Sequence, residues 1–273
     1  MTTTTKKVAL VTGASAGIGK AIVRRLLRDG WTVWGAARRV EQMRDIEAEG
    51  ARVVSLDVTS EESMTAAVKA LLDAEGRLDA LVNNAGYGSY GAIEDVPISE
   101  ARRQFEVNVF GLARLCQLAL PTMRAAKSGT IVNVSSMGGR IWMPIGGWYH
   151  ATKHALEALS DALRVETQAF GVRVVVIQPG AIESEWSDIA AKNLAATAKG
   201  SAYSSLVEPM ARILAADRIK AKPEVVADAV AEAVSSASPR RRYATPFQAR
   251  FYIFMHWLLP DWAWERLVAA TVK

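Results

Sequence analysis

Short apolar runs rich in β-branched residues alternate along this chain with longer segments of helical spacing. Seven runs have the length of strands, and they occupy residues 7–12, 31–36, 53–56, 78–82, 131–134, 172–177 and 241–244. Strands that alternate with helices are joined by right-handed crossovers, which give a parallel sheet covered on both faces. We therefore predict an α/β fold, a doubly wound sheet of seven parallel strands with helices on both faces and residues 241–244 at its edge.

Composition narrows the class of protein. The 273 residues fit one large domain, residues 1–273, and 50% of them are hydrophobic, as in globular proteins. The net charge of +5 is small and no long basic block occurs, which argues against nucleic-acid binding. Cys116 is the single cysteine, so the chain has no disulfide framework and fits a reducing compartment. Because the N-terminus lacks the apolar core of a signal peptide and no apolar stretch has membrane-spanning length, we predict a cytoplasmic protein.

A glycine-rich turn separates the first strand from the first helix. Gly13, Gly17 and Gly19 are spaced GxxxGxG, and residues 17–29 have helical spacing. Glycines let the backbone approach a ligand, and a helix N-terminus offers unpaired N–H groups and a positive dipole end to a pyrophosphate. A glycine-rich turn can be merely a turn, but its place between strand and helix favours a dinucleotide site.

Two arginines, Arg38 and Arg39, follow the second strand. In dinucleotide folds an acid at this place binds the adenosine ribose, whereas an arginine accommodates a 2′-phosphate. The acid is absent here, and two guanidiniums suit bidentate phosphate contacts. We predict NADP(H) as the cofactor. The alternative, that the arginines only open a solvated helix, is stronger for Arg39 than for Arg38.

Tyr149 and Lys153 lie in a segment, residues 149–170, whose Ala, Leu and Glu content predicts a helix. One helical turn separates them, so the phenol and the ammonium share a face. A nearby cation favours the phenolate and lowers the tyrosine pKa towards neutrality, where the side chain can exchange a proton. Ser136, after the fifth strand, can donate a hydrogen bond to a carbonyl or alkoxide oxygen. Alone, this pair is a weak signal, because YxxxK is common.

Two helices carry further signals. Ser60 and the acids that follow it predict the capped start of a helix over residues 60–75. Ser99 is predicted to cap a long helix that runs to about residue 126. Asn108 lies inside that helix, where asparagine is intrinsically poor, so we expect it to bond a specific partner or to lie on a solvated face.

Together these motifs resemble the short-chain dehydrogenase/reductase family over residues 7–180. They follow the family's order: TGASAGIG at 12–19, DV at 57–58, NNAG at 83–86, Asn108, Ser136, YHATK at 149–153 and PG at 179–180. The resemblance implies a Rossmann-like fold and a dimer or tetramer. It also implies a catalytic tetrad, in which Tyr149 is the general acid/base and Ser136 polarises the carbonyl. By the same resemblance Lys153 lowers the tyrosine pKa and binds the nicotinamide ribose, and Asn108 holds a water in a proton relay.

The cofactor site is predicted from the strand ends and the resemblance together. Ligands of open α/β sheets bind beyond the carboxyl ends of the strands, where most of these residues fall. Ser184 stands where family members often have threonine. The predicted cofactor-binding residues are Gly13, Ser15, Gly17, Ile18, Gly19, Arg38, Arg39, Asp57, Val58, Asn84, Ala85, Gly86, Asn108, Tyr149, Lys153, Pro179, Gly180, Ile182 and Ser184.

Two regions are predicted to shape the substrate site. Residues 181–222 resemble the family's variable lid, and the predicted apolar liners of the cleft are Trp142, Met143, Trp148, Trp186, Tyr203 and Leu206. Core packing explains each aromatic equally well. The aromatic extension, residues 246–273 with a break at Pro260, packs over the cleft, forms an oligomer interface or lies on a membrane, and we favour the first two.

The sequence thus predicts an NADP(H)-dependent carbonyl reductase or alcohol dehydrogenase for a small molecule with a bulky, apolar ketone, aldehyde, steroid-like or retinoid-like structure. The alternative is a nucleotide-binding regulatory or scaffold protein without catalysis, against which the complete tetrad argues. His150 and His154 are spaced like a metal pair, but no acid or cysteine lies beside them, so we predict no metal site.

Overall fold

The predicted parallel sheet is present. In a computed structural model of the chain, which describes residues 6–183, 190–191, 193–195, 200–215 and 220–271, seven strands form one sheet in the order β3-β2-β1-β4-β5-β6-β7. All neighbouring pairs are parallel. The strands are β1 (Val8–Thr12), β2 (Thr32–Ala37), β3 (Arg52–Ser55), β4 (Ala80–Asn83), β5 (Gly129–Val134), β6 (Val172–Pro179) and β7 (Arg242–Thr245). The predicted edge position of the last strand is confirmed.

Helices connect the strands and follow the last of them. They are α1 (Gly17–Arg28), α2 (Arg44–Ala48), α3 (Glu61–Glu75), α4 (Ile98–Phe105), α5 (Gly111–Ala125), α6 (Gly147–Thr167), α7 (Ser204–Ala215), α8 (Glu224–Ser235), α9 (Phe247–Leu258) and α10 (Asp261–Thr271). A π-helical turn, Glu106–Phe110, joins α4 to α5. In the described part of the chain, no helix is long and apolar enough to cross a membrane.

The sheet is covered on both faces. Apolar side chains of α1 and α8 pack in one core with alternate residues of the strands, among them Ile22, Leu26 and Val230. The other core contains side chains of α3, α5 and α6, such as Leu71 and Leu115. The central strands β1, β4 and β5 are buried along their whole length, as expected of strands that are covered on both faces.

Helix starts agree with the sequence in one case and differ in another. The Ser60 side chain accepts a hydrogen bond from the Ser63 backbone N–H, so the predicted cap of α3 is confirmed. The predicted cap at Ser99 is wrong, because α4 begins at Ile98 and Pro97 occupies the N-cap position. A proline that lacks an N–H group loses nothing at a helix start, which explains the earlier beginning.

Two asparagines tie the central strands at their carboxyl ends. Asn83 Nδ2 donates to Asn133 Oδ1 at 2.9 Å, across the β4–β5 pair. Asn84 Nδ2 donates to the Thr12 carbonyl at 2.9 Å, and Thr12 Oγ1 accepts from the backbone N–H groups of Asn84 and Ala85 at 3.0 Å each. These bonds fix the turns that follow β1 and β4, where the sequence places the cofactor.

Candidate active site

A cleft of about 1000 Å³ lies beyond the carboxyl ends of the strands. It begins at the glycine-rich turn, passes the side chains of the predicted catalytic residues and ends against the C-terminal helices. The predicted site residues that line it are Gly13, Ser15, Gly17, Ile18, Gly19, Arg38, Arg39, Asp57, Val58, Asn84, Ala85, Gly86, Ser136, Tyr149, Lys153, Pro179, Gly180 and Ile182. The topology therefore brings residues from across the sequence to one site.

The glycine-rich turn leaves space for a phosphate. Gly13 has a φ of +67°, which favours glycine, and a Cβ on Gly19 would lie 2.2 Å from the Gly13 carbonyl oxygen. Ala16, the N-cap residue of α1, makes no side-chain cap, and the first turn of the helix has no acid. The positive end of the helix dipole is thus uncompensated by side chains, so these residues fit a bound pyrophosphate.

Arg38 and Arg39 are exposed at the same end of the cleft. Arg39 Nη2 lies 3.5 Å from Ser15 Oγ in the glycine-rich turn. Burial of the Asp57 carboxyl opposes its ionisation, but hydrogen bonds from Thr59 and the charges of Arg38 and Arg103 hold its pKa below the usual range. The guanidiniums of Arg38 and Arg39 are therefore accessible to a 2′-phosphate at this end of the cleft.

Tyr149 is buried, and 6% of its surface is exposed. Burial raises the pKa of its phenol to about 12, although a hydrogen bond with the Ser136 side chain opposes the rise. Ser136 Oγ also accepts a hydrogen bond from the Gly138 N–H at 3.0 Å, which fixes the serine above β5. The phenol is consequently protonated at neutral pH and can donate a proton.

Lys153 is buried beside the tyrosine. Its Nζ donates to the Val134 carbonyl at 2.9 Å and lies 6.0 Å from the centre of the Tyr149 ring. Burial lowers the pKa of Lys153 to about 8, although the Glu157 carboxylate opposes the change. The sequence predicted a tyrosine pKa below its ordinary value, and this is wrong for the structure, because burial of the phenol raises its pKa.

Asn108 lies behind the cleft wall rather than on it. Its Oδ1 accepts from the Tyr87 N–H at 3.0 Å, and its Nδ2 donates to the Tyr87 carbonyl at 2.9 Å and to Thr152 Oγ1 at 3.1 Å. A Cβ on Gly86 would lie 3.0 Å from Asn108 Oδ1 and 3.8 Å from Lys153 Nζ. The specific partners predicted for Asn108 are thus Tyr87 and Thr152, and through them the asparagine connects the loop after β4 to α6. Asn108 itself lies in the π-helical turn, and turns of this kind are frequent at functional sites.

Comparison with known proteins agrees with this arrangement. Residues 7–194 match the short chain dehydrogenase family. The chain belongs to that family. It is 34% identical to the NADPH-dependent 3-dehydrocapnine reductase of Ornithobacterium rhinotracheale over 278 aligned positions, which cover 98% of each protein.

Solved short-chain dehydrogenases have the same fold. A member from Streptomyces avermitilis is 34% identical, with a TM-score of 0.83 over 97% of this chain and 99% of its own. A metagenomic short-chain oxidoreductase in complex with NADP is 30% identical, with a TM-score of 0.69 over 88% of this chain and 96% of its own. Similar structures include NAD-bound as well as NADP-bound members, so the fold alone does not select the cofactor.

Of the candidate liners of the substrate end that the structure describes, one lines the main cleft, and core packing, the alternative left open by the sequence, accounts for others. Met143 lines the cleft, whereas Trp142 lines a separate pocket of about 380 Å³ and Trp148 lines neither. Tyr203 and Leu206 pack in a cluster with Tyr90 and are absent from the cleft wall. Aromatic composition could not separate these positions because the loop geometry decides which ring faces the cleft. Ser184 and Trp186 lie outside the described residues.

The C-terminal extension supplies part of the lining that the sequence did not predict. Trp264, Leu267, Val268 and Thr271 line the cleft from α10, and their i, i+3, i+4, i+7 spacing is one face of a helix. Met210, Ile213 and Leu214 line it from α7, and Tyr252 from α9. The helical spacing of these four residues can be read from the sequence, but the sequence does not identify the surface against which they pack. Of the alternatives for the extension, packing over the cleft is confirmed.

Three further side chains near the catalytic group make contacts that the sequence did not predict. Tyr90, in the loop after β4, lines the cleft with its ring centre 5.8 Å from that of Tyr149. His150 is buried, with Nδ1 3.0 Å from the Gly138 carbonyl, and His154 Nδ1 lies 2.9 Å from the His150 carbonyl. The two Nδ1 atoms of the histidine pair therefore bond different backbone carbonyls.

Proposed function

We propose that this chain is an NADP(H)-dependent oxidoreductase that interconverts a bulky, apolar ketone or aldehyde and its alcohol. One observation carries the proposal: a single cleft joins the phosphate-fitting turn, the Ser136–Tyr149–Lys153 group and an apolar wall. A catalytically idle scaffold protein would have no need for a buried proton donor at the junction of the other two regions.

The cofactor assignment rests on charge. Arg38 and Arg39 would hold the 2′-phosphate, the first turn of α1 would hold the pyrophosphate, and Lys153 would hold the nicotinamide ribose. No acidic residue stands at the end of β2, where an NAD enzyme of this fold carries one. The name of the 3-dehydrocapnine reductase, which is NADPH-dependent, supports the same assignment.

The chemistry needs a hydride and a proton. When bound, NADPH supplies the hydride to the carbonyl carbon. Ser136 and Tyr149 donate hydrogen bonds to the carbonyl oxygen, and the Tyr149 proton moves to that oxygen as the alcohol forms. A protonated phenol suits reduction, since it acts as the acid, and the ammonium of Lys153 stabilises the phenolate that remains. Asn108 acts by positioning Tyr87 and α6.

The substrate end of the cleft is apolar. Met143, Met210, Ile213, Leu214, Tyr252, Trp264, Leu267 and Val268 line it. Such a wall gives affinity through burial of apolar surface, at roughly 25 cal/mol per Å². The helices α9 and α10 add the polar groups of Gln248, Tyr252 and Thr271 to the lining. The 3-dehydrocapnine reductase is named for reduction at a 3-dehydro position, which agrees with a ketone as the reacting group.

The proposal is tested by NADPH and NADH oxidation over a panel of ketones that share one reacting group and differ in the size of the apolar substituent. We expect turnover with NADPH and a kcat/KM that rises with apolar size. Turnover that is equal for NADH would contradict the cofactor assignment, and a preference for small polar ketones would contradict the substrate class. Tight NADPH binding without turnover of any member would favour the scaffold alternative.

A further inference from the structure

A row of polar side chains begins at Tyr149 and continues along α6. Lys153, Glu157 and Asp161 follow the tyrosine at intervals of four residues, so each side chain neighbours the next on the helix surface. Tyr149, Lys153 and Glu157 are buried, with 6%, 7% and 5% of their surfaces exposed. The proposed reaction gives roles to the tyrosine and the lysine, whereas the buried acid one turn further along has none.

Two neighbouring strands hold the Glu157 carboxylate. Its Oε1 accepts a hydrogen bond from Gln178 Nε2 of β6 at 2.9 Å, and its Oε2 accepts one from Arg242 Nε of β7, also at 2.9 Å. Arg242 Nη2 donates to Asp161 Oδ2 at 2.5 Å, so a single guanidinium bonds two carboxylates of α6. Both oxygens of Glu157 therefore have a donor, and the carboxylate is fixed between α6 and the last two strands.

The stem of Glu157 lies against the turn that carries Ser136. Gly139 follows this serine in a short helical turn. A Cβ on Gly139 would lie 2.9 Å from Glu157 Cγ and 2.9 Å from the Lys153 carbonyl oxygen, so the turn and α6 are in close contact there. Glu157 therefore connects the two parts of the proposed catalytic group, since it belongs to the same helix as Lys153 and packs against the turn of Ser136.

The charge of Lys153 is supported by Glu157. Burial lowers the pKa of the lysine to about 8, and the Glu157 carboxylate opposes this change. Other elements bring uncharged groups to its Nζ, namely the Val134 carbonyl at 2.9 Å and the backbone of Gly86, where an added Cβ would lie 3.8 Å away. The Tyr149 ring, whose centre is 6.0 Å from Nζ, belongs to a protonated phenol. A buried cation is stabilised by a nearby opposite charge, and Glu157 supplies that charge.

We propose that Glu157 is a positioning residue of this enzyme, whose carboxylate, held by Gln178 and Arg242, keeps the Lys153 ammonium charged beside Tyr149. The inference rests on the proposed function, in which this ammonium stabilises the phenolate that remains after proton transfer. Without the carboxylate, Lys153 would lose its nearby opposite charge, and the Arg242 cation would lose one of its two acids. The uncharged lysine would then predominate from a lower pH upwards, and ketone reduction should decline from that lower pH.

The test is an NMR titration of the full chain, isotopically labelled at lysine Cε, with the Lys153 signal identified by its absence from a Lys153→Met variant. Glu157→Gln removes the charge but keeps the size of the side chain and an oxygen that accepts from Arg242. We expect the midpoint of the Lys153 titration to lie lower in this variant by about one pH unit or more, the usual effect of one nearby charge. An unchanged midpoint would contradict the inference.

Asp161→Asn is the matched control, because it removes the other acid bonded to Arg242 and lies about two turns from Lys153. Its midpoint should equal that of the unsubstituted chain. An equal shift in both variants would refute a specific role of Glu157, because a general loss of negative charge would then explain it. The double variant Glu157→Gln/Arg242→Gln removes the cation together with its acid. It should also show a lower midpoint, and it provides the measurement if the single variant does not fold.

Activity separates this inference from the proposed function. In the reduction of an apolar ketone by NADPH, the pH above which kcat falls should be lower in Glu157→Gln, whereas Asp161→Asn should keep the unsubstituted profile. The change belongs on the alkaline side, because the ammonium is lost as pH rises. Glu157→Asp, which retains a carboxylate, should recover part of the difference. A kcat reduced equally at every pH would indicate a merely structural role and overturn the inference, whereas a shifted Lys153 midpoint without turnover of any ketone would overturn the proposed function alone.

Discussion

The two ends of the cleft are built differently. At the cofactor end, the lining comes from turns directly after β1 to β6, so the sheet fixes the backbone there. At the substrate end, α7, α9 and α10 contribute mainly apolar side chains and follow the motif-bearing part of the chain. The difference teaches that the chemistry and the choice of substrate are separable. Backbone positions and buried charges determine the chemistry, whereas the shapes of side chains determine which substrate fits.

Buried titratable groups also concentrate at the end with the chemistry. Tyr149, His150 and Lys153 share one helical turn and each has a strongly shifted pKa because of burial. On the C-terminal helices, burial lowers the pKa of His256 as well, but that ring is only half-buried. Substitutions at the two ends should therefore change different observables, and the following predictions are arranged to test this.

The largest effect is expected from Tyr149→Phe. Loss of the only group proposed to donate the proton should reduce kcat by about 10²- to 10⁴-fold, the usual contribution of a general acid. Affinity for NADPH, measured by fluorescence titration, should change little. Tyr90→Phe is the matched control, since this second buried phenol lines the same cleft. If the two variants lose similar activity, Tyr149 has no special role as an acid.

The second prediction concerns pH. Burial lowers the pKa of His150 from its ordinary 6.5 to about 4, so the unfolded chain binds a proton there before the folded protein does. The free energy of unfolding should therefore fall as pH falls from 6.5 towards 4, and this group should account for about 2 kcal/mol between pH 7 and pH 5. Urea denaturation at both pH values measures the difference.

Asparagine replacements locate that pH dependence. His150→Asn keeps a donor for the Gly138 carbonyl but cannot titrate, so the difference between the two pH values should shrink by about 2 kcal/mol. His256→Asn, on the substrate side, should leave most of it in place. An equal reduction in both variants would show that acid sensitivity does not distinguish the two ends of the cleft.

The third prediction concerns the cofactor end alone. Arg38→Asp removes a cation and adds an acid that can bind ribose hydroxyls, so the ratio of kcat/KM for NADPH to that for NADH should fall by about 10- to 100-fold. Arg39→Asp should have a smaller effect if the Arg39 guanidinium is mainly a partner of Ser15. An unchanged ratio in the Arg38 variant would contradict its assignment to the 2′-phosphate.

The difference between the two ends also explains what the sequence could predict. At the cofactor end, strand periodicity predicts the sheet, and the sheet predicts the edge where ligands bind. Gly13, Arg38 and Ser136 follow directly after strands, so their positions at that edge can be predicted from the sequence. Asn108 was recognised as out of place in a helix, but its bonds to Tyr87 and Thr152 join residues distant in sequence. No local pattern identifies such partners.

At the substrate end, local pattern is not enough. Trp142 and Trp264 are equally aromatic in the sequence, yet only Trp264 lines the main cleft. The direction of each ring depends on how the loop after β5 and the C-terminal helices pack together. The tyrosine pKa shows the same limit, since the spacing of Tyr149 and Lys153 can be read from the sequence, whereas the burial that raises the tyrosine pKa depends on the complete fold.

The smallest effect should come from Leu267→Ala, at the mouth of the substrate end. Leu267 is 40% exposed and lines the cleft, so its truncation removes part of an apolar wall at little cost in stability. We expect the KM of a bulky apolar ketone to rise about three- to tenfold, with kcat nearly unchanged. This is less than the roughly 10- to 200-fold that a methylene is worth in an enclosed hydrophobic pocket, because Leu267 is partly exposed. Leu258→Ala, on the neighbouring helix and outside the cleft lining, is the matched control. A fall in kcat or in NADPH affinity for Leu267→Ala would mean that the two ends are coupled, because a purely apolar contact with the substrate should affect neither.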